Sequence, residues 1–259
     1  MLVVLFLVGV ADAAEKAKPI RALLITGGCC HDYAYQAKKF VLGSTKIANI
    51  EWTVMIDPRK GTEGTIDLYN DPDWAKAFDV VVHNECFANT SDPEYIRKIT
   101  AAHHAGAPAV VIHCAMHTYR AAKIDDWREF LGVTSRHHEH QSRYPVIPVM
   151  KDHPIMQGFP AVWTTPMDEL YIVTKVWPNT KALATSKSEK SKDEQPVFWV
   201  SQYGKARVFG TTYGHGNVTW DDKVFIETIT RGLLWASDKI TKDGKPTPGY
   251  EPLPAKDEV

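Results

Sequence analysis

The stretch IRALLITGGCCHD, residues 20–32, decides the fold class. Ile20 to Thr26 is a short apolar run, and Gly27-Gly28 ends it with a pair suited to a sharp turn. The reading is a buried strand entering a tight loop, and the chain beyond repeats the pattern. Residues 33–48 place Ala37, Phe40, Val41 and Ile47 on one helical face. Ile50 to Ile56 (IEWTVMI) alternates as a strand and stops at Asp57-Pro58. Phe78 to His83 (FDVVVH) and Ala109 to His113 (AVVIH) are β-branched runs. Between them, Pro93 to Ala105 reads as a helix with Asp92 as its N-cap and Gly106 just past its end. Strand, helix, strand in repetition predicts an α/β fold whose parallel sheet is covered on both faces.

From about 145 to 212 the pattern becomes β-rich. Tyr144 to Met150, Glu169 to Lys175, Lys181 to Ser186, Pro196 to Gln202 and Ala206 to Thr212 read as strands, with Tyr203-Gly204 a hairpin turn. A final helix, Asp222 to Ser237, offers Phe225, Ile229, Leu233 and Trp235 to the core. Residues 238–259 are Pro-rich and charged and are expected to form a loose tail. At the other end, Leu2 to Val10 is apolar but too short to span a bilayer, and it leads into Ala11-Asp12-Ala13. That is the pattern of a cleaved signal peptide over residues 1–13, although the usual positive charge before the apolar run is missing. An exported protein, periplasmic or extracellular and free of the membrane after cleavage, is expected.

The 259 residues suit one large domain, and a hydrophobic fraction of 44% with 24% charged residues excludes a disordered or coiled-coil chain. Thirty basic and 31 acidic residues give a net charge of -1, so no basic surface for nucleic acid is expected. The four cysteines, Cys29, Cys30, Cys86 and Cys114, show neither CxxC nor zinc-ribbon spacing and read as buried free thiols.

Open parallel sheets bind ligands beyond the carboxyl ends of their strands. There the sequence puts His31-Asp32 after the first strand, His83-Asn84-Glu85 after the third, and His113 to His117 after the fourth. A late strand adds Gly214-His215. Histidines beyond four strands predict a shared cleft. Imidazoles and carboxylates there could hold a divalent metal such as zinc, with His83, Glu85 and His117 as the ligand candidates. His138-x-His140 is a second possible pair, read instead as a solvated polar loop. Cys114, at a turn after a strand, could serve as a nucleophile with His215 as base, but it lacks the flanking glycines of a nucleophile elbow and reads as a buried thiol. GxSxG, P-loop and GxGxxG motifs are absent from the sequence.

Several segments in order resemble the ThuA-like (trehalose-utilisation) family. They are the glycine loop with His31-Asp32, AVVIH at 109–113, DHPI at 152–155 with Gly158, DELY at 168–171, PVFW at 196–199, GKARVF at 204–209, Gly214-His215, and GLLWA at 232–236. The resemblance covers about residues 20–237. It implies the fold of class I glutamine amidotransferases, a flavodoxin-like three-layer α/β sandwich, and a role in carbohydrate metabolism, including the handling of oxidised (3-keto) sugars. Ala206 departs from the family's usual second glycine. Cys114 stands where a small residue is common, so a glutaminase nucleophile does not transfer.

Together these readings select His31, His113, His215, Asp168 and Glu169 as catalytic candidates. Arg120, Tyr171 and Trp199 are candidates for contact with a small carbohydrate. Asp168-Glu169 could do acid/base work or bond to backbone at a strand start. Aromatic rings could stack on a sugar or simply pack in the core. The functional expectation is hydrolytic or acid/base chemistry on a sugar; a sugar-binding module without catalysis and a Cys114-dependent amidohydrolase are the alternatives.

Overall fold

The computed structural model describes residues 19–254; residues 1–13, expected to form a signal peptide, lie outside them. Chain order runs β1 (Ile20–Gly28), α1 (Tyr33–Ser44), β2 (Ile50–Asp57), β3 (Val80–Cys86), α2 (Pro93–Ala105) and β4 (Ala109–Ile112). It continues through α3 (Asp126–Leu131), β5 (Val133–Ser142), β6 (Pro145–Pro148), β7 (Trp163–Thr164) and β8 (Asp168–Val176). Last come β9 (Lys181–Lys187), β10 (Glu194–Tyr203), β11 (Ala206–Thr211), α4 (Asn217–Trp220) and α5 (Lys223–Ala236).

Nine strands form one sheet in the order β2-β1-β3-β4-β11-β10-β9-β6-β7. The first five are parallel to one another, and the remaining four run antiparallel. The period-two alternation of each parallel strand sorts its side chains between two cores. Ala22, Leu24, Val82, Val110 and Ile112 pack with Phe40 of α1 and Ile229 and Leu233 of α5. Leu23, Ile25, Val81 and Val111 pack on the other face with Ile96 and Ile99 of α2 and Trp127 and Phe130 of α3. Helices on both faces give the three-layer α/β sandwich expected from the sequence.

The β-rich stretch is not a layer of its own. β6, β7, β9 and β10 widen the same sheet, while β11 takes the parallel place beside β4. β5 and β8 leave the sheet and pair with each other. Val133 and Tyr171 from this pair are buried on the α2/α3 side. β5 was not foreseen: its polar run, VTSRHHEHQS, has only one aliphatic residue to announce a strand. The segment after α5 folds back rather than trailing. Ile240 bridges Pro246, the Tyr250 carbonyl accepts the Asn49 amide, and the Tyr250 ring packs against the core. Among the described residues no helix is long and apolar enough to cross a membrane.

Candidate active site

β1 enters the site through Gly27 (φ 133°) and Gly28 (φ 93°), values that L side chains rarely adopt. A Cβ on Gly28 would also collide with the Cys86 carbonyl. The loop is therefore pressed against the end of β3, and Asp32 caps α1 by accepting the Tyr35 amide at 3.1 Å. This delivers His31 to the carboxyl edge of the sheet. Its Nδ1–H donates to the His215 carbonyl at 3.1 Å, leaving Nε2 as acceptor, 3.1 Å from Cys114 Sγ. Burial, with His215 close by, lowers the His31 pKa to about 4, so the ring is neutral.

His113 directly follows β4 with φ 45°, a left-handed conformation uncommon for a residue with a side chain. The strand-to-turn position is the one where α/β hydrolases present a nucleophile; here it presents an imidazole. Its Nδ1–H donates to the Thr212 carbonyl at 2.7 Å, which fixes the tautomer and leaves Nε2 as the acceptor of a nearly fully buried ring. Nε2 meets the Tyr171 hydroxyl at 3.3 Å and a Glu169 oxygen at 3.8 Å. Burial holds the His113 pKa well below the ordinary histidine value.

β8 supplies the carboxylates. Glu169 Oε2 lies 3.3 Å from His215 Nδ1 and 3.5 Å from His138 Nδ1. Burial would push Glu169 up, but the hydrogen bond and charge of His215, with His138 behind it, outweigh burial and hold the carboxyl below its usual range. The reciprocal effect raises His215: burial opposes the charge, and Glu169 prevails. Gln141 Nε2 donates to His215 Nε2 at 2.8 Å, placing the hydrogen of a neutral His215 on Nδ1, toward Glu169. The rings of His31, His113 and His215 are mutually edge-on, with centroids 4.8 to 5.4 Å apart.

Asp168 faces away from this cluster. Its carboxylate accepts from Thr219 Oγ1 at 2.6 Å and from the amides of Glu169, Gly214 and His215 at 2.7, 3.1 and 3.3 Å. It is fully buried, and burial lifts its pKa to about 6 despite those donors. Asp168 thus clamps the turn that carries His215. Tyr171 forms a wall: its ring stacks on His117 at 4.1 Å and lies 5.5 Å from His138. Arg120 stands exposed at the rim, donating to the Arg136 carbonyl at 3.1 Å.

Four expected contributors do not join the cluster. Trp199 is fully buried in β10, its Nε1–H donates to the Leu131 carbonyl at 2.8 Å, and its ring covers Gly210. No face is left for a sugar. His83 and Glu85 lie within β3, which runs to Cys86 rather than stopping at His83. Alternation turns both into the α2/α3 core, where His83 Nδ1 contacts Glu85 at 2.9 Å and Nε2 contacts His103 at 3.0 Å. His117 lies against Tyr171 and Ser135 instead, so His83, Glu85 and His117 do not form a donor set among the described residues. Three other sets bring donor atoms within 4.8 Å of one another, namely Cys29, Cys30 and Cys86, then His31, His113 and Cys114, and, with a carboxylate, His113, Glu169 and His215. That nitrogen–carboxylate combination suits a divalent cation such as zinc.

Gln141 is a contributor the sequence reading missed, and His138, expected with His140 on a solvated polar loop, reaches Glu169 instead. The register of β5 on β8 shifts between His138 and Gln141, so His138 turns to Glu169 while His140 turns to Glu189 at 3.1 Å. The clustering of His137, His138 and His140 was the available signal. The cysteines also differ from expectation. Cys86 and Cys114 are free and buried, but Cys29 and Cys30 are joined to each other in a disulfide.

A family model described as trehalose utilisation matches residues 21–236. No curated protein matches the chain. A ThuA-like protein from Parabacteroides merdae superposes with a TM-score of 0.66 at 23% identity, over 90% of this chain and 97% of that one. A ThuA-like protein from Bacteroides uniformis gives 0.61 at 16% identity, over 86% and 95%. A β-galactosidase from Bacillus circulans gives 0.55 at 11% identity over 85% of this chain but 31% of its own. At these identities the superpositions establish a shared fold. The family match itself reaches from β1 to the end of α5, and on that span the chain belongs to the ThuA, or trehalose-utilisation, family.

Proposed function

We propose that this is an exported enzyme that transfers protons at a small carbohydrate, with His113 as the central acid/base group. The observation that carries the reading is His113 itself: a left-handed backbone at a strand end and a tautomer fixed by the Thr212 carbonyl. Backbone strain is kept where the surrounding structure enforces it, and functional sites are where it gathers. A neutral Nε2 acceptor at the edge of the sheet is a general base, able to take a proton from a sugar hydroxyl, an activated carbon–hydrogen bond or a water. His215, held by Glu169 and Gln141, is the complementary acid. Tyr171 orients Nε2 through its hydroxyl, and Gln141, His138 and Arg120 supply rim groups for sugar hydroxyls. A net charge near neutral agrees with an uncharged ligand. Export is supported by the apolar run and small-residue site at 2–13. N-terminal sequencing of protein from the native host would show residue 14 as the first if that holds.

The test is a substrate survey over disaccharides and their oxidised keto forms, with the His113→Asn variant in parallel. Asparagine tolerates the left-handed backbone, so the fold should persist. Turnover should fall by about 10²- to 10⁴-fold while sugar affinity changes little. Wild-type protein that binds sugars and turns none over would make it a binding module. Full turnover in His113→Asn and none in Cys114→Ser would move the chemistry to the thiol. Turnover lost on chelation and restored by zinc would assign His113, Glu169 and His215 to a cation.

A further inference from the structure

All four cysteines of the chain meet at one place, although 85 residues separate the first from the last. Cys29 and Cys30 form a disulfide on the loop after β1, with Cys30 exposed and Cys29 half-buried. Cys29 Sγ lies 3.6 Å from Cys86 Sγ at the end of β3. Cys86 Sγ lies 2.6 Å from Cys114 Sγ on the turn after β4. Cys114 Sγ in turn lies 3.1 Å from the Nε2 acceptor of His31. The sulfurs thus form a line from solvent to a base. Thiol–disulfide exchange needs a thiolate in contact with a disulfide sulfur and a second thiol to resolve the intermediate. The Cys114 thiol, against burial and with the Tyr33 hydroxyl assisting, holds the Cys86 thiol below its ordinary range.

We propose that these cysteines are a thiol–disulfide exchange site whose oxidised pair moves between the surface and the interior. In the first step the Cys86 thiolate attacks Cys29 Sγ. A Cys29–Cys86 bond forms, the Cys29–Cys30 bond breaks, and Cys30 leaves as a thiolate that takes a proton from water, replacing the one Cys86 gave up to solvent. In the second step the Cys114 sulfur attacks Cys86 Sγ while its proton shifts in concert to His31 Nε2, which relays it without holding it. A Cys86–Cys114 bond forms, and Cys29 leaves and takes the proton back from His31. The two electrons that open one disulfide come from the two thiols that close the other, so no outside oxidant is consumed. The external reactant is a thiol or disulfide reaching Cys30, the exposed end. The inference is independent of any sugar chemistry in the cleft. Cys86 and Cys114 are its inner pair, and neither is needed for proton transfer by His113.

Alkylation of the native protein tests it. Protein purified without reductant is held in N-ethylmaleimide, quenched in acid and mapped by peptide mass. Wild-type chain should label at Cys30 and accumulate a Cys86–Cys114 cross-link at the same rate. The Cys86→Ser variant should label Cys30 at least about tenfold more slowly, because nothing opens the surface disulfide. Cys114→Ser should stop at a Cys29–Cys86 cross-link with Cys30 labelled, which keeps the test informative if Cys86→Ser does not fold. A surface disulfide that stays closed in wild-type protein, or that opens equally fast in Cys86→Ser, would overturn the proposal.

Discussion

His113 combines three local facts that seldom coincide: a positive φ, a tautomer fixed by a carbonyl acceptor and a nearly fully buried ring. The first is costly alone, since a strained backbone of this kind costs on the order of 1–3 kcal/mol. Their coincidence is what marks His113 among eleven histidines. A companion change, Glu169→Gln, removes the charge that raises His215. In pH titrations followed by NMR, the His215 pKa should then fall toward or below the ordinary histidine value. An unchanged His215 titration would mean that Glu169 does not set its charge. The gathering of His31, His113, His215 and Glu169 was legible because each follows or begins a recognisable strand. His83 and Glu85 misled because β3 continues past the apolar run, and a strand's alternation hides polar residues in the core when partners such as His103 await them. Trp199 misled for the usual reason that an aromatic ring packs equally well against protein.

Elements, not single residues, bring these groups together. The loop after β1 depends on Gly28, where an added Cβ would meet the Cys86 carbonyl and φ is 93°. Gly28→Ala should therefore lose roughly 1–3 kcal/mol of unfolding free energy in urea titrations. Gly61→Ala, in open space, should lose none of that. The turn after β11 depends on Asp168, which accepts four donors from residues 169, 214, 215 and 219. Asp168→Asn should cost about 1.5–3 kcal/mol, since the amide cannot accept from all four. It should also weaken sugar binding through a displaced His215 if Asp168 acts by positioning. Stability equal to wild type would contradict the clamp. β1, β2, β4, α2 and α5 were readable from periodicity, caps and glycines. β5 was not, because its partner β8 and not its own composition makes it a strand.

At the scale of the whole molecule, the two cores on either face of the sheet differ in polarity. The α2/α3 side buries His83, Glu85 and His103 among Trp74, Trp127 and Phe130. Burial, with His83 adjacent, lowers the His103 pKa to about 3. Its folded value is thus depressed below the unfolded value of about 6.5. As pH falls below about 6.5 the unfolded chain takes up a proton that the folded chain refuses, so stability is lost between there and about 3. The contribution has a slope of up to about 1.4 kcal/mol per pH unit. His103→Gln should flatten the acid limb of a stability-versus-pH curve by about one proton's worth; an identical slope would show that His103 is not held neutral. The chain's own order of residues determined the three-layer α/β class, the glycine loop, the limits of α2 and α5 and the edge of the sheet where histidines collect. These rest on local rules: side-chain period, capping and backbone freedom. Only the tertiary structure decided which histidines face one another, that β11 sits beside β4, that β5 and β8 wall the cleft, and that four separated cysteines align. Those outcomes depend on strand order and register, which contacts between distant segments settle, and no local sequence rule encodes them.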